Sequence, residues 1–300
     1  MENPVESPWH ASGQPTPSIH EDLRFRAAQI LIGVNPQTLK AFCQEQLAQA
    51  LEDLKGTPYE GKIYVPDVYL PRQEIVHIFN AWLSSDLPCF AVVGESGIGK
   101  TNFMCATAEN LSEDSFVLFY PAVRLAQGLL AAIRNDFVWE FHRDRELAYI
   151  VERFDEITSK HGQKLIILVD GLDEFPGNQE GFKAELLDFV RRLRGRSIRL
   201  CVSCKSFDWG DFVIDKSQTY NRLAKSIYPP RDSVHNPSAI RSPDPKQVGV
   251  WLLEFTDDEL DAVFPKYKEE FSLQGKLCGA SRAECHTPLM LRLVAEVYSG

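Results

Sequence analysis

The feature of this chain that most restricts its fold is a glycine-rich run that follows a short apolar stretch. The run consists of Gly94, Glu95, Ser96, Gly97, Ile98, Gly99, Lys100 and Thr101. Its spacing, a glycine followed after four residues by Gly-Lys-Thr, is that of a Walker A phosphate-binding loop. Glycines accept positive φ, so backbone N–H groups turn inward to a phosphate, and the following helix adds its partial positive charge. The run therefore predicts a strand–loop–helix unit that binds the phosphates of a nucleoside triphosphate.

The residues at the end of this loop have predicted roles in phosphate and metal binding. Lys100 is expected to reach the β- and γ-phosphates as a mobile positive charge, and Thr101 to offer its hydroxyl to Mg²⁺. Asn102 follows directly and belongs to the same predicted nucleotide-binding set.

A second apolar stretch supplies the other half of the predicted site. Residues 165–169 are all apolar and end at Asp170, which is the arrangement of a Walker B strand. Burial of the strand would fix this carboxylate at the carboxyl edge of the sheet, where it is expected to hold Mg²⁺. Asp173 and Glu174 follow, and one of these acids is expected to polarise a water for attack on the γ-phosphate.

The alternation of apolar runs with amphipathic stretches predicts the fold class. Buried strands are expected at 89–93, 116–120, 165–169 and 198–203, and helical stretches at about 100–111, 123–160 and 180–194. This alternation is typical of an α/β protein whose parallel sheet is covered by helices on both faces. The strand inserted between the two motifs, with the acids after Asp170, indicates the hydrolytic branch of P-loop proteins.

Shifts in composition divide the chain into five expected segments. Residues 1–20 predict a disordered tail, 21–64 a helical segment and linker, and 65–225 the NTPase core. The proline-rich stretch 226–246 predicts a surface loop. Residues 247–300 predict a small helical domain, expected to be incomplete, in which Thr256 and Glu259 form a capping box.

The bulk composition narrows the classes of partner. The formal net charge is −10, which gives no general attraction to nucleic acid or to anionic membranes. No apolar stretch approaches the ~20 residues of a membrane span, and the N-terminus has no secretory signal pattern. A cytoplasmic protein without direct membrane or nucleic-acid partners is therefore expected.

Around Asp170 the chain resembles the STAND class of signal-transduction NTPases, and within it the NACHT group. The Walker B motif of that group has four apolar residues, Asp, a small residue, an apolar residue and two acids, and Ile166 to Glu174 match every position. Arg72 lies where the family has an apolar-Gly-Arg-Glu box, although Pro71 replaces the glycine. Lys205 stands at the sensor position that is often Arg, and Pro288 resembles the Pro motif of the helical domain.

The resemblance implies a molecular switch with slow, regulatory hydrolysis. Relatives hold ADP in a closed state, exchange it for ATP and self-associate on activation, in signal transduction and, in bacteria, antiphage defence. It is the resemblance that implies adenine rather than guanine, and Arg72, Lys205 and Pro288 as further nucleotide contacts. The trigger and the effector normally lie outside the NTPase core, and the sequence names neither.

Two alternative functions remain open at this point. An AAA+ remodelling ATPase is favoured by the arginine-rich run 191–196, which lies where such proteins carry a trans-acting arginine finger. The same run fits cations at a helix C-terminus, where the helix dipole favours them. A module that binds nucleotide without useful turnover is the second alternative.

Overall fold

The fold is built on one parallel sheet. The computed structural model describes residues 36–137, 146–215, 217, 219–229 and 248–298. The strands are β1 (Cys89–Gly94), β2 (Phe116–Pro121), β3 (Leu165–Asp170), β4 (Ile198–Lys205), β5 (Ile227–Tyr228) and β6 (Val250–Trp251). Their order is β2-β3-β4-β1-β5, with β6 also paired to β1, and every pairing is parallel. The carboxyl ends of all strands therefore meet at one edge of the sheet.

The helices surround this sheet and continue beyond it. They are α1 (Pro36–Glu52), α2 (Gln73–Leu83), α3 (Lys100–Leu111), α4 (Leu129–Phe137), α5 (Leu147–Lys160), α6 (Gln179–Leu193), α7 (Ser206–Val213), α8 (Asp257–Glu270), α9 (Gly279–Glu284) and α10 (Pro288–Tyr298). Helices α8 and α10 contribute to an apolar cluster of their own, which also includes Cys285 just after α9, and Val65 and Val68 from the linker before α2. No helix among the described residues is long and apolar enough to cross a membrane.

The strands are mostly apolar because both faces of the sheet are covered. Every residue of β1 is buried, and alternate side chains enter two separate cores. Ala91 and Val93 join the core beneath α4 to α7, whereas Phe90 and Val92 join the core beneath α2 and α3. The predicted α/β class, with a parallel sheet covered on both faces, is confirmed.

Helix α1 closes the β2 edge of the sheet. Its first half, with Leu39 and Phe42, packs into one core, and its second half, with Leu47 and Leu51, packs into the other. Between the two halves, the Gln46 side chain accepts from the backbone N of Phe119 at 3.0 Å and donates to the backbone O at 2.8 Å. A side chain therefore satisfies edge-strand groups that would otherwise face water.

Several boundaries differ from those that the sequence predicts. The single helical stretch expected at 123–160 is wrong, because a 3₁₀ turn at Ala122–Arg124 precedes α4, and α5 begins only at Leu147. The strands β5 and β6, of two residues each, and the helices α7 and α9 are not predicted at all. The short strands depend on pairing with β1 rather than on a local apolar period. The tail predicted at 1–20 and most of the loop predicted at 226–246 lie outside the described residues.

Candidate nucleotide-binding site

The glycine-rich loop joins β1 to α3 at the carboxyl edge of the sheet. Gly97 and Gly99 have φ values of 76° and 95°, which residues with a Cβ rarely adopt, and α3 begins immediately at Lys100. The Lys100 ammonium donates to the backbone O of Gly94 at 2.8 Å and of Glu95 at 2.7 Å. Its partial burial lowers its pKa, an effect opposed by the nearby charges of Asp173 and Asp170. The loop thus places one cation at the N-terminus of a helix, where anions bind.

Asp170 ends β3 directly opposite this loop. Its Oδ2 accepts a hydrogen bond of 2.8 Å from Thr101 Oγ1, and its Oδ1 accepts one of 2.5 Å from Ser203 Oγ. Burial raises the pKa of Asp170, and the two hydroxyl donors partly offset this effect. A hydroxyl and a carboxylate are hard oxygen ligands, so Thr101 and Asp170 have the chemistry that Mg²⁺ requires.

Ser203 is a site residue that the sequence interpretation missed. It is almost fully buried on β4, and its hydroxyl accepts a hydrogen bond of 2.8 Å from Gly171 N while donating to Asp170. It therefore fixes both the carboxylate and the start of the loop that follows. The available signal was a hydroxyl residue near the end of an otherwise apolar strand beside β3.

The two acids after Asp170 lie on a 3₁₀ turn, Leu172–Glu174, and are joined to β4 by Lys205. Lys205 N donates to Asp173 Oδ1 at 2.9 Å, and Lys205 Nζ lies 2.8 Å from Asp173 Oδ2 and 3.6 Å from Glu174 Oε1. These contacts raise the pKa of Lys205. The predicted sensor residue therefore lies against the predicted catalytic acids.

A second, largely apolar cavity adjoins the phosphate loop on the side of the linker. Its lining includes Tyr69, Arg72, Ile98, Gly99, Asn102, Leu252, Phe255 and Pro288. The Arg72 guanidinium lies 4.6 Å from the centre of the Phe255 ring and donates to Leu253 O. Within the described residues, Arg72 Nη2 and Asn102 Oδ1 are buried without a hydrogen-bond partner. The cavity therefore combines an apolar wall with one orphaned donor and one orphaned acceptor. Its accessible volume of about 30 Å³ is small, so a heterocyclic base would enter only if the cavity widened.

The N-terminus of α10 is packed directly on the glycine-rich loop. Leu289 N donates to Gly97 O at 3.1 Å, and a Cβ on Gly97 would lie 2.8 Å from the Leu289 side chain. Gly97 therefore has a second reason to lack a side chain, besides its positive φ. Pro288 lies beside Gly99, so the predicted Pro motif is next to the phosphate loop.

One open cleft brings most of the predicted residues together. The cleft has an accessible volume of about 360 Å³, and its lining includes Ser96, Gly97, Gly99, Lys100, Thr101, Asn102, Asp170, Asp173, Glu174, Lys205 and Pro288. Arg72 and Ile98 line the adjoining apolar cavity instead. Gly94 is buried beneath the loop, and the Glu95 side chain accepts a hydrogen bond from Ser206, another residue that the sequence interpretation missed.

The comparison with known proteins identifies the fold of this chain. No protein-family model and no curated protein matches the chain. Among solved structures, the Aeropyrum pernix ORC2 protein (ADPNP–ADP complexes) is 13% identical with a TM-score of 0.50, covering 80% of this chain and 60% of that one. The chain has the P-loop NTPase fold.

Two further solved structures are more distant in shape. The Walker-type ATPase PABY2304 of Pyrococcus abyssi is 14% identical with a TM-score of 0.49, covering 81% of this chain and 69% of that one. Cdc6p of Pyrobaculum aerophilum is 16% identical with a TM-score of 0.45, covering 78% of this chain and 56% of that one. Both alignments cover only part of the matched chain.

Proposed function

We propose that this protein binds ATP with Mg²⁺ and hydrolyses it slowly, as a NACHT-like molecular switch. The observation that carries the proposal is the hydrogen bond from Leu289 N to Gly97 O. The backbone that would hold the phosphates is the same backbone on which the helical segment rests. A change in the phosphates bound by the loop would therefore act on α10 directly, through this shared backbone.

The proposed roles follow from the position of each side chain. Lys100 would bind the β- and γ-phosphates, and Thr101 and Asp170 would hold Mg²⁺, which supplies charge neutralisation at the phosphates. The base would lie in the apolar cavity, which would have to widen from its accessible volume of about 30 Å³, with Arg72 Nη2 and Asn102 Oδ1 as the orphaned donor and acceptor. Such a base would satisfy both polar atoms, which are otherwise costly to bury.

The organisation of the switch is part of the proposal. Residues 65–225 form the NTPase core and 247–300 the helical domain that closes over it, with 21–64 as an N-terminal segment. Exchange of ADP for ATP releases the helical domain and drives self-association in the cytoplasm, in response to a trigger and toward an effector that remain to be found. Signalling in antiviral defence is the biological role that the family resemblance favours.

Nucleotide content and assembly test this proposal together. We expect purified protein to carry ADP, released on denaturation and identified by chromatography, and to form larger species with a non-hydrolysable ATP analogue than with ADP. Lys100→Ala should abolish nucleotide binding by removing the cation of the loop. Lys160→Ala is the matched control, because Lys160 is exposed and paired with Glu156 far from the loop. ATP binding by Lys100→Ala as tight as in the wild type would refute the proposal.

An AAA+-type remodelling ATPase is the second candidate, favoured by the fold likeness to the Aeropyrum pernix ORC2 protein. Its proposed arginine finger would come from 191–196. Arg191 and Arg192 are both ion-paired to Asp188 of the same helix, so a role in trans would require these pairs to break. Loss of hydrolysis in assembled Arg191→Ala, with nucleotide binding intact, would favour this candidate over the switch. Nucleotide binding without measurable turnover would instead favour a pure interaction module.

A further inference from the structure

The two acids after Asp170 differ sharply in environment although they are adjacent in sequence. The side chain of Asp173 is 4% exposed, whereas that of Glu174 is 53% exposed. Both line the cleft that contains Lys100 and Thr101. Their different burial indicates that they do not perform the same task.

Both carboxylate oxygens of Asp173 face Lys205. Its Oδ1 accepts the Lys205 backbone N–H at 2.9 Å, and its Oδ2 lies 2.8 Å from the Lys205 ammonium. Although burial alone would raise the pKa of Asp173, these contacts with Lys205 lower it below the usual value. A carboxylate that accepts from a backbone N–H and lies beside an ammonium accepts a further proton poorly.

Lys205 lies where its ammonium would interact with the terminal phosphate of a bound nucleotide. It ends β4 in register with Gly94 at the start of the phosphate loop, and it lines the same cleft as Lys100. Its charge is close enough to lower the pKa of Lys100, alongside the larger effect of burial. A lysine ammonium has three donors, so its ion pair with Asp173 leaves donors for an anion in the cleft.

A lysine that is already held in place contributes more to the binding affinity of a ligand than a freely moving one. A solvated lysine loses substantial side-chain entropy when it is fixed against a ligand. Asp173 fixes Lys205 at both the backbone and the ammonium before any ligand arrives. Glu174, by contrast, is 3.6 Å from Lys205 Nζ and half exposed, so its carboxylate has room to contact a water in the cleft.

We propose that Asp173 is a positioning residue that holds Lys205 toward the terminal phosphate, and that Glu174 alone is the general base. The assignment rests on the proposed ATP hydrolysis. The oxygen of a water bonds to the γ-phosphorus as the bond from that phosphorus to the bridging oxygen of ADP breaks. The Glu174 carboxylate takes the proton from the water and later returns it to solvent, so that ADP and inorganic phosphate leave.

A double-mutant cycle with two measurements tests the assignment. The variants are Asp173→Asn, Lys205→Met, the two combined, Lys205→Arg and Glu174→Gln. The first measurement is the ratio of affinities for a fluorescent non-hydrolysable ATP analogue and for fluorescent ADP. The second is the rate of single-turnover ATP hydrolysis. Asn at position 173 still accepts the backbone N–H of Lys205, and thermal unfolding of each variant checks that it is folded.

The expected pattern separates positioning from proton transfer. Asp173→Asn and Lys205→Met should each lower the preference for the ATP analogue by about tenfold, the scale of one charge-assisted hydrogen bond. The double variant should lose no more than either single variant, because the two residues act as one unit. Lys205→Arg should retain most of the preference. Glu174→Gln should keep it entirely while slowing hydrolysis by about 100-fold or more.

The contrary outcomes are equally distinct. Additive losses in the double variant, or an unchanged preference in Asp173→Asn, would overturn the positioning role. Hydrolysis that survives in Glu174→Gln but is lost in Asp173→Asn would reverse the two assignments. Nucleotide binding without turnover in the wild type would overturn the role of Glu174, while the binding ratios still decide the role of Asp173. Wild-type protein that bound neither nucleotide would overturn the proposed function itself, and this assignment with it.

Discussion

A carboxylate lies near each end of the parallel strands, Asp155 partly buried at the amino end and Asp170 buried at the carboxyl end, and their surroundings differ. At the amino edge, Asp155 Oδ1 accepts from Ser197 N at 2.6 Å and from Ser197 Oγ at 2.7 Å, and Oδ2 pairs with Arg196. At the carboxyl edge, Asp170 accepts only from the hydroxyls of Thr101 and Ser203. No ion pair joins Asp170 to a Lys or Arg within the described residues.

The difference separates charge that supports the fold from charge that is available to a ligand. The arginine-rich run at the amino edge is used internally, since Arg191 and Arg192 pair with Asp188, and Arg196 pairs with Asp155 and Glu152. A buried carboxylate without a cation, such as Asp170, is costly unless a cation binds there. Motifs with many charges are therefore poorer guides to function than single charges left without a counter-ion.

Removing the charge of Asp170 should have the largest effect. Asp170→Asn keeps the shape and can accept from only one of the two hydroxyls, and it loses the anionic ligand, so we expect Mg²⁺-dependent nucleotide affinity to fall by about 100-fold. Stability should be unchanged or slightly higher, because a buried charge has gone. Titration of ATP with and without Mg²⁺ measures the first effect, and denaturant unfolding the second. If nucleotide affinity in the variant depended on Mg²⁺ as strongly as in the wild type, the proposed difference between the two edges would be contradicted.

The matching change at the amino edge should affect stability instead. Asp155→Ala removes the acceptor for Ser197 N, Ser197 Oγ and Arg196, and should lower the free energy of unfolding by about 2 kcal/mol. Nucleotide affinity should stay at the wild-type value. Denaturant unfolding and ATP titration of the same preparation check both statements. A tenfold loss of ATP affinity in a folded variant would show that the amino edge also serves the site.

A third carboxylate tests how much an unpaired charge costs away from the cleft. Tyr120 Oη donates to Asp136 Oδ2 at 2.7 Å, and burial raises the pKa of Asp136 from 3.8 to about 6, although the hydrogen bond opposes this. Since the folded protein then holds the proton more tightly than the unfolded chain, stability should fall as pH rises from about 4 to about 6. Above that range the full penalty of the ionised form applies.

Asp136→Asn should remove this component of the pH dependence. The amide oxygen still accepts from Tyr120. The free energy of unfolding of the variant should therefore exceed that of the wild type by about 1 kcal/mol above pH ~7, allowing for partial exposure of the side chain, and should equal it near pH ~4. Unfolding midpoints measured across this range provide the check. An equal shift at every pH would mean that the charge of Asp136 contributes nothing.

The smallest effect is expected for Arg191→Ala. Arg191 is half exposed and forms a pair with Asp188 along one helix, a type of contact worth about 0.3–0.5 kcal/mol. Stability and nucleotide affinity should both remain close to those of the wild type. Thermal unfolding and ATP titration suffice as measurements. A large loss of stability would contradict the view that these pairs are ordinary surface contacts.

What the sequence could predict was local, and what it missed depended on distant partners. The strand–turn–helix at the glycine-rich loop and the position of Asp170 at the end of a strand were predictable, because a turn and its flanking strand are encoded within a few adjacent residues. The short strands β5 and β6 were missed because two residues form a strand only by pairing with β1. Likewise, nothing in the pair Asp173-Glu174 indicates that one is buried, since its partner Lys205 lies 32 positions away.

The placement of the other predicted contacts shows the same limit. Arg72 was expected beside the nucleotide on the strength of a family pattern, and its position in the adjoining cavity is set by Leu253 and Phe255. These residues belong to the segment after β6, and no sequence pattern indicates that this segment contacts the linker before α2. Ser203 could have been found as a polar residue in an apolar strand, but its two partners could not.

The Gln46 side chain, hydrogen-bonded to both backbone groups of Phe119, bears on how copies of this protein can meet. An uncovered edge strand invites another chain to add a strand of its own. With α1 lying along β2, that route is closed at this edge, so copies that meet here must use side-chain surfaces rather than continuation of the sheet. A chain shortened to begin after α1 would uncover the edge and the apolar ends of both cores at once, and would polymerise for reasons unrelated to nucleotide.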